Sequence, residues 1–229
     1  RCVMLPSEYT SQASLDDAEA VAKALGCRYD YVPIKEGRKA ITETLAPLFE
    51  DTEPGLTEEN IQSRLRGLLL MALSNKFGEM LLSTGNKSEV AVGYATIYGD
   101  MAGGFDVLKD VPKTLVFDLC RYRNTLGPCI PQRVIDRPPS AEHAPDQKDE
   151  DSLPPYEVLD QILEMYIERD MSADDIIATG MDRQQVQKVL RLVDINEYKR
   201  RQAPIGVRIT KRGFGRDRRY PITSGWRIG

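Results

Sequence analysis

The sequence predicts an α/β fold, a parallel sheet with helices on both faces. Two observations predict it. Short apolar runs, each ended by Pro, Gly or a polar cluster, alternate with longer stretches of helical apolar spacing. In addition, the polar cluster Thr84-Gly85-Asn86-Lys87-Ser88-Glu89 directly follows such a run, where parallel sheets place their ligands. At 229 residues, with 41% hydrophobic and 29% charged residues, the chain can bury a substantial core.

Arg1 to Leu5 reads as a buried strand stopped by Pro6. Ser14 reads as a helix N-cap, with Asp16 and Asp17 in the first turn, and Gly26 closes that helix. Arg28 to Ile34 is a second strand, and a helix follows over 41–49. Thr57 caps a long helix that runs to Phe77. Its core stripe is Ile61, Leu65, Leu68, Leu69, Ala72 and Leu73. Met80 to Thr84 is the third strand, followed by a helix beginning near Ser88. Pro112-Lys113-Thr114-Leu115 opens another helix, with Pro in the first turn. The Pro- and acid-rich stretch 137–155 reads as a long mobile loop, a linker or an active-site lid. Helices follow over 156–169, 173–178 and 182–193. The tail from Asn196 holds ten Lys or Arg against two acidic residues and reads as a basic arm.

The net charge of -4 points to neither nucleic acid nor an anionic membrane, and no apolar run reaches the roughly 18 residues of a membrane span. Cys2, Cys27, Cys120 and Cys129 form no CxxC pair and read as reduced, buried thiols of a cytoplasmic protein. The Thr84–Glu89 cluster fits a helix start that takes a phosphate, with Glu89 beside it for Mg2+. It fits equally a strand-to-helix turn capped by Asn86 or Ser88. Asn60, Arg64, Gly67 and Met71 form a second stripe on the long helix, donors beside a cleared surface. The alternative there is a solvated face with Arg64 paired to Glu58 or Glu59.

The segments "STGNKSEVAVGYATIYGDMAGGF", "ENIQSRLRG", "DVPKTLVFDLCRYRN", "RPPSAE" and "EYKRRQAPIGVRIT" resemble, in this order and spacing, the synthetase domain of NAD synthetase, most closely its glutamine-dependent branch. The resemblance implies an adenine-nucleotide α-hydrolase-like fold of the ATP pyrophosphatases. It implies ATP-dependent amidation of deamido-NAD to NAD through a nicotinate adenylate, with Mg2+ as cofactor and ATP as co-substrate. Thr84, Lys113 and Ser140 resemble ATP contacts. Glu89 resembles a Mg2+ ligand that also lies near deamido-NAD. Asn60, Arg64 and Lys199 resemble deamido-NAD contacts. Lys113 and Asp100 stand where catalytic groups are expected, Asp100 near the nicotinate carboxylate or the incoming ammonia.

The family's SGGxDS phosphate loop has no match in these residues, nor does the glutaminase domain of the glutamine-dependent branch. The expectation is therefore one NAD synthetase-like domain over 1–229, N-terminally truncated and inactive alone. Its parts are an α/β core over 1–136, the loop over 137–155, and C-terminal helices with the basic arm over 156–229. A homo-oligomer is expected, with ammonia drawn from glutamine by a glutaminase domain upstream. Two other classes compete. One is another ATP pyrophosphatase, GMP synthetase-like or tRNA-modifying. The other is a non-enzymatic module with an RNA-binding arm that stacks bases on Phe214, Tyr220 and Trp226.

Overall fold

The computed structural model describes residues 1–145 and 147–226. The expected loop and tail therefore include four positions, 146 and 227–229, outside the described residues. Two parallel strand pairs form the α/β part. β1 (Cys2–Met4) pairs with β2 (Tyr29–Tyr31), Val3 opposite Asp30, and α1 (Gln12–Ala24) makes the crossover. β3 (Leu82–Ser83) pairs with β4 (Phe105–Asp106), Leu82 opposite Phe105. The alternation of strand and helix is as the sequence predicts, but the two pairs share no ladder hydrogen bond. A cavity of about 320 Å3 is lined by Leu5, just past β1, and by Leu81 to Thr84 around β3. The sequence pattern does not predict β4, because two residues cannot show an alternation. Gly104 N on Leu81 O (2.9 Å) and Asp106 N on Ile205 O (2.8 Å) hold it in place.

Several helix starts lie elsewhere than the sequence suggests. α1 is capped by Ser11, whose Oγ accepts from Ser14 N at 3.2 Å, so Ser14 is not the cap. The helix expected over 41–49 is α2 (Lys35–Leu45), followed by a 3-10 turn over Ala46–Leu48. α3 (Leu56–Phe77) is capped at Gly55, not Thr57; the Glu58 carboxylate reaches back to accept from Gly55 N at 2.6 Å. Its expected core stripe also fails in part. Leu68 is 64% exposed and Ala72 is exposed, while Gln62, Ser63 and Gly67 turn inward. The inward face of α3 is polar at Gln62 and Ser63, which meet the segment around His143 and the loop over 96–100, and apolar at Leu65, which packs on Leu5 and Ile34.

α4 (Lys87–Val92), α5 (Lys113–Thr125) and α6 (Gln132–Asp136) surround the end of β3. α7 (Tyr156–Leu163) continues as a π turn over Glu164–Glu168. α8 (Ala173–Ala178), α9 (Arg183–Ile195) and α10 (Glu197–Arg200) complete the C-terminal bundle. Among the described residues, fourteen buried ones, from Ala91 and Val92 of α4 through Leu159 and Ile162 of α7 to Val193 of α9, form the principal core. A smaller cluster of Leu5, Ile34 and Leu65 serves the α/β part.

The lysine at the strand mouth is structural. Buried Lys87 meets Asp110 and Glu168 at 3.0 Å each, the Thr210 hydroxyl at 2.5 Å and Arg212 O at 3.1 Å. Asp110 in turn accepts from Ile209 N and Thr210 N, both at 2.8 Å. This buried knot fastens the basic arm to the body, as an unpaired ammonium there would be costly. Arg200 lies over the Phe214 and Tyr220 rings, and both aromatics pack on the principal core. The four thiols are free, as expected, but Cys2 and Cys27 are exposed rather than buried. Cys120 is half-buried, and Cys129 alone of the four is buried.

Candidate active site

The site forms around α4 because β3 ends in a sharp polar turn. Asn86 caps α4: its Oδ1 accepts from Glu89 N at 3.0 Å, and the Glu89 carboxylate accepts from Asn86 N at 3.2 Å. The cap is therefore Asn86 rather than Ser88, of the two that one reading of the sequence offers, and Glu89 completes a capping box. That same box fixes the Glu89 backbone and aims its free oxygen at Lys113, Nζ to Oε1 3.0 Å. Lys113 also faces the ring of Tyr156 at 5.3 Å.

Glu89, Asp100, Lys113 and Ser140 line one cavity of about 400 Å3, with Tyr94, Phe117 and Asp149. Four predicted site residues thus converge from α4, a loop, α5 and the 137–155 segment. Ser140 Oγ bonds Gln147 O and accepts from Glu142 N at 3.1 Å, so the loop holds its own shape. The loop is also tied to the body. Ser11 and Ser14 donate to Glu142 (2.9 and 2.8 Å), and Gln62 donates to His143 O at 2.9 Å.

Asp100 is held by the glycines that surround it in sequence and space. A Cβ on Gly99 would meet Ser63 Oγ at 2.1 Å, and one on Gly67 would meet Tyr98 O at 2.7 Å. Only glycines let α3 and the loop approach this closely. Asp100 then accepts from Thr96 N at 2.6 Å, while Ser63 Oγ accepts from Asp100 N at 3.1 Å. Burial pushes the Asp100 carboxyl above the usual range, against those backbone donors.

Thr84 lies in the neighbouring cavity with Leu5, Arg66 and His143; Asp100 and Ala141 line both. Asn60 and Arg64 face a different side. Asn60 Oδ1 accepts from Thr96 Oγ1 at 2.9 Å, and Arg64 Nε donates to Ile97 O at 3.2 Å, pairing with neither Glu58 nor Glu59. Arg64, Gly67 and Met71, three members of the predicted stripe, line a cavity of about 590 Å3 with Tyr98 and Gln202. Lys199 donates to Gly93 O and Ala95 O at 2.7 and 2.8 Å. Burial lowers its pKa, and nearby Asp100 works against that.

The sequence does not single out Tyr94, Asp149 or Tyr156. Tyr156 OH donates to Asp149 at 2.7 Å, and both are buried although Asp149 sits in an acid-rich loop. Burial drives both tyrosine pKa values upward, with Glu89 and Asp149 adding to it. No local pattern marks a carboxylate that a fold will bury. Among the described residues no cluster of three or more His, Cys, Asp or Glu is placed to hold a metal. A Mg2+ here could have Glu89 as its one protein carboxylate, with the phosphates of a bound nucleotide completing its ligands.

Parallel strand pairs with helical crossovers, and a carboxylate–lysine cavity past the end of a strand, define an α/β domain that carries its candidate site where parallel strands end. The chain belongs to the NAD synthase family, whose sequence model matches residues 1–203. It is 59% identical over 229 residues to a glutamine-dependent NAD(+) synthetase of Acinetobacter baylyi, covering 99% of this chain and 42% of that one. The solved glutamine-dependent NAD+ synthetase of Acinetobacter baumannii, in complex with ADP, is 53% identical with a TM-score of 0.59 (99% of this chain, 41% of that one). The corresponding structure from Cytophaga hutchinsonii, 23% identical, has a TM-score of 0.80 over 97% of this chain and 38% of that one, and supports the fold. The chain thus spans about two-fifths of the length of these relatives.

Proposed function

We propose that this chain is the synthetase part of an enzyme that amidates deamido-NAD to NAD. The nicotinate carboxylate attacks the α-phosphorus of ATP and pyrophosphate leaves, giving an acyl adenylate. Ammonia then attacks the acyl carbon, AMP leaves, and one proton is released. The cavity joining Glu89, Asp100, Lys113 and Ser140 carries this reading. The Lys113 ammonium and the Ser140 hydroxyl suit ATP phosphates, and Thr84 in the adjoining cavity suits the rest of the nucleotide. Lys113 leaves Glu89 for the phosphates and neutralises pyrophosphate as it departs. A Mg2+ on Glu89 would reduce the repulsion between the two anionic reactants. Asn60, Arg64 and Lys199 serve the deamido-NAD side. Asp100 stands where it could orient the carboxylate or the ammonia.

Relatives bear the name glutamine-dependent NAD(+) synthetase. On that ground ammonia comes from glutamine through a glutaminase domain outside these residues. A strand carrying the phosphate loop, also from outside residues 1–229, would join the two strand pairs. The 137–155 segment acts as a lid that excludes water from the adenylate. The protein works as a homo-oligomer in the cytoplasm; no helix among the described residues is long and apolar enough to cross a membrane. An RNA-stacking arm is not favoured, because Phe214 and Tyr220 are spent on the core and on Arg200.

The experiment is an assay of the full-length protein carrying this chain, with deamido-NAD, ATP, Mg2+ and glutamine or ammonium. Formation of NAD, AMP and pyrophosphate in equal amounts is expected. ADP and phosphate as products, or no dependence on deamido-NAD, would overturn the reading.

A further inference from the structure

The start of α5 is capped from two other helices. Pro112 stands at its N-cap and supplies no side-chain cap, leaving the first amides of the helix to find partners elsewhere. Lys113 N donates to Ser88 Oγ on α4 at 2.9 Å. Thr114 N and Thr114 Oγ1 both donate to Asp160 Oδ2 on α7, at 2.9 and 2.8 Å. Ser88 Oγ closes the circuit by donating to Asp160 Oδ1. Ser88 is fully buried. One carboxylate therefore ties the first turns of α4 and α5 to α7.

Both ends of Lys113 are governed by these contacts. Its backbone amide is fixed through Ser88 and, one residue on, through Asp160. Its ammonium is directed to Glu89, the residue next to Ser88, and to the ring of Tyr156, one turn before Asp160 on α7. A carboxylate already occupies the positive end of the α5 dipole. The first two amides of that helix start are thus not free for a substrate phosphate. The ammonium of Lys113 is the group that α5 offers, and its position depends on how the first turn is held.

We propose that Asp160 is a positioning residue for the adenylation step, one that sets the place of the Lys113 ammonium relative to Glu89 without touching substrate. The inference rests on the reading of Lys113 as the lysine on the ATP phosphates. Asp160→Ala removes three hydrogen bonds and leaves the α5 start to water. A slack lysine serves the departing pyrophosphate poorly, and small displacements of this kind cost on the order of a hundredfold in rate.

The test uses the full-length protein and follows pyrophosphate release. Asp160→Ala is expected to lower kcat by about a hundredfold and to leave deamido-NAD binding within about twofold of wild type, the range of independent sites. Asp160→Asn keeps an acceptor for Thr114 and a polar group toward Ser88, and should return the rate to within about tenfold of wild type. The deciding comparison is a double-mutant cycle. If Asp160 acts through Lys113, adding Asp160→Ala to Lys113→Ala changes the rate by less than about threefold. Should Asp160→Ala not fold by circular dichroism, Ser88→Ala takes its place in the cycle, with the same non-additivity expected. Additive losses in the cycle, or equal loss of deamido-NAD binding, would overturn the positioning role while leaving the reaction intact. A wild-type protein that forms no NAD would defeat the reaction and this inference with it.

Discussion

Among the described residues, fourteen buried ones form one cluster beneath α4, α7, α8 and α9, whereas three, Leu5, Ile34 and Leu65, form the cluster beside β1 and α3. The two regions bear different members of the candidate site. Glu89 and Lys113 stand on helices that rest on, or are capped from, the thick core; Ala91 and Val92 of α4 belong to it. Asn60 and Arg64 stand on α3, whose inner face is partly polar and whose Leu68 and Met71 are exposed. Phosphoryl chemistry depends on groups held in fixed geometry. Binding a long dinucleotide tolerates a looser surface. Under the proposed function, the phosphate-side groups Glu89 and Lys113 are the ones held against the thicker core, while Thr84 lines a cavity beside the smaller one.

The sharpest way to break the comparison is to cut into each core. Leu159, fully buried on α7, should cost about 2–5 kcal/mol of stability as Leu159→Ala. Leu5→Ala should sit near the bottom of that range, about 2 kcal/mol. Urea unfolding of both variants measures this. Equal losses would mean that the small cluster is as well packed as the large one.

On the proposed ATP side, Glu89→Gln keeps the shape and the cap but removes the charge facing Lys113. Its kcat should fall at least about a hundredfold, with far-UV circular dichroism unchanged. Retention of most activity across a Mg2+ titration would reduce Glu89 to its capping role.

Ligand titrations compare the two sides directly. Arg64→Ala should weaken deamido-NAD binding by roughly 1.5–3 kcal/mol and spare ATP. Lys113→Ala should do the reverse. Weakened ATP binding by Arg64→Ala would move α3 to the nucleotide side.

The smallest effect concerns the loop between the regions. Burial, and then the charge of Arg66, lower the pKa of His143 to about 4. In the unfolded chain the same group titrates near 6.5. Between those values the unfolded state binds more protons, so this contribution to stability is complete above about pH 6.5 and is lost as pH falls toward 4. His143→Gln should flatten the pH dependence of the melting temperature over that window. An unchanged slope would show that His143 is open to water.

Much of the site was legible in the sequence because it is local. Asn86, one of two caps the sequence offers, does cap α4, and Pro112-Lys113 announces the start of α5. Spacing on α3 likewise put Arg64, Gly67 and Met71 on one stripe, and they line one cavity. Resemblance to a known family supplied the roles that spacing alone left open. The helix ends were less legible, since the caps at Ser11 and Gly55 depend on which side chain reaches back. By itself, the sequence determined the alternation of strand and helix, the polar turn after β3 and the residue types of the site. Those follow from backbone propensity and short-range hydrogen bonding. Only the tertiary structure decided that Lys87 is a buried pin for the arm, that Asp149 is buried against Tyr156, and that Asp160 caps α5. Each of these depends on groups from distant parts of the chain, and burial changes what a charge costs and therefore what it can do.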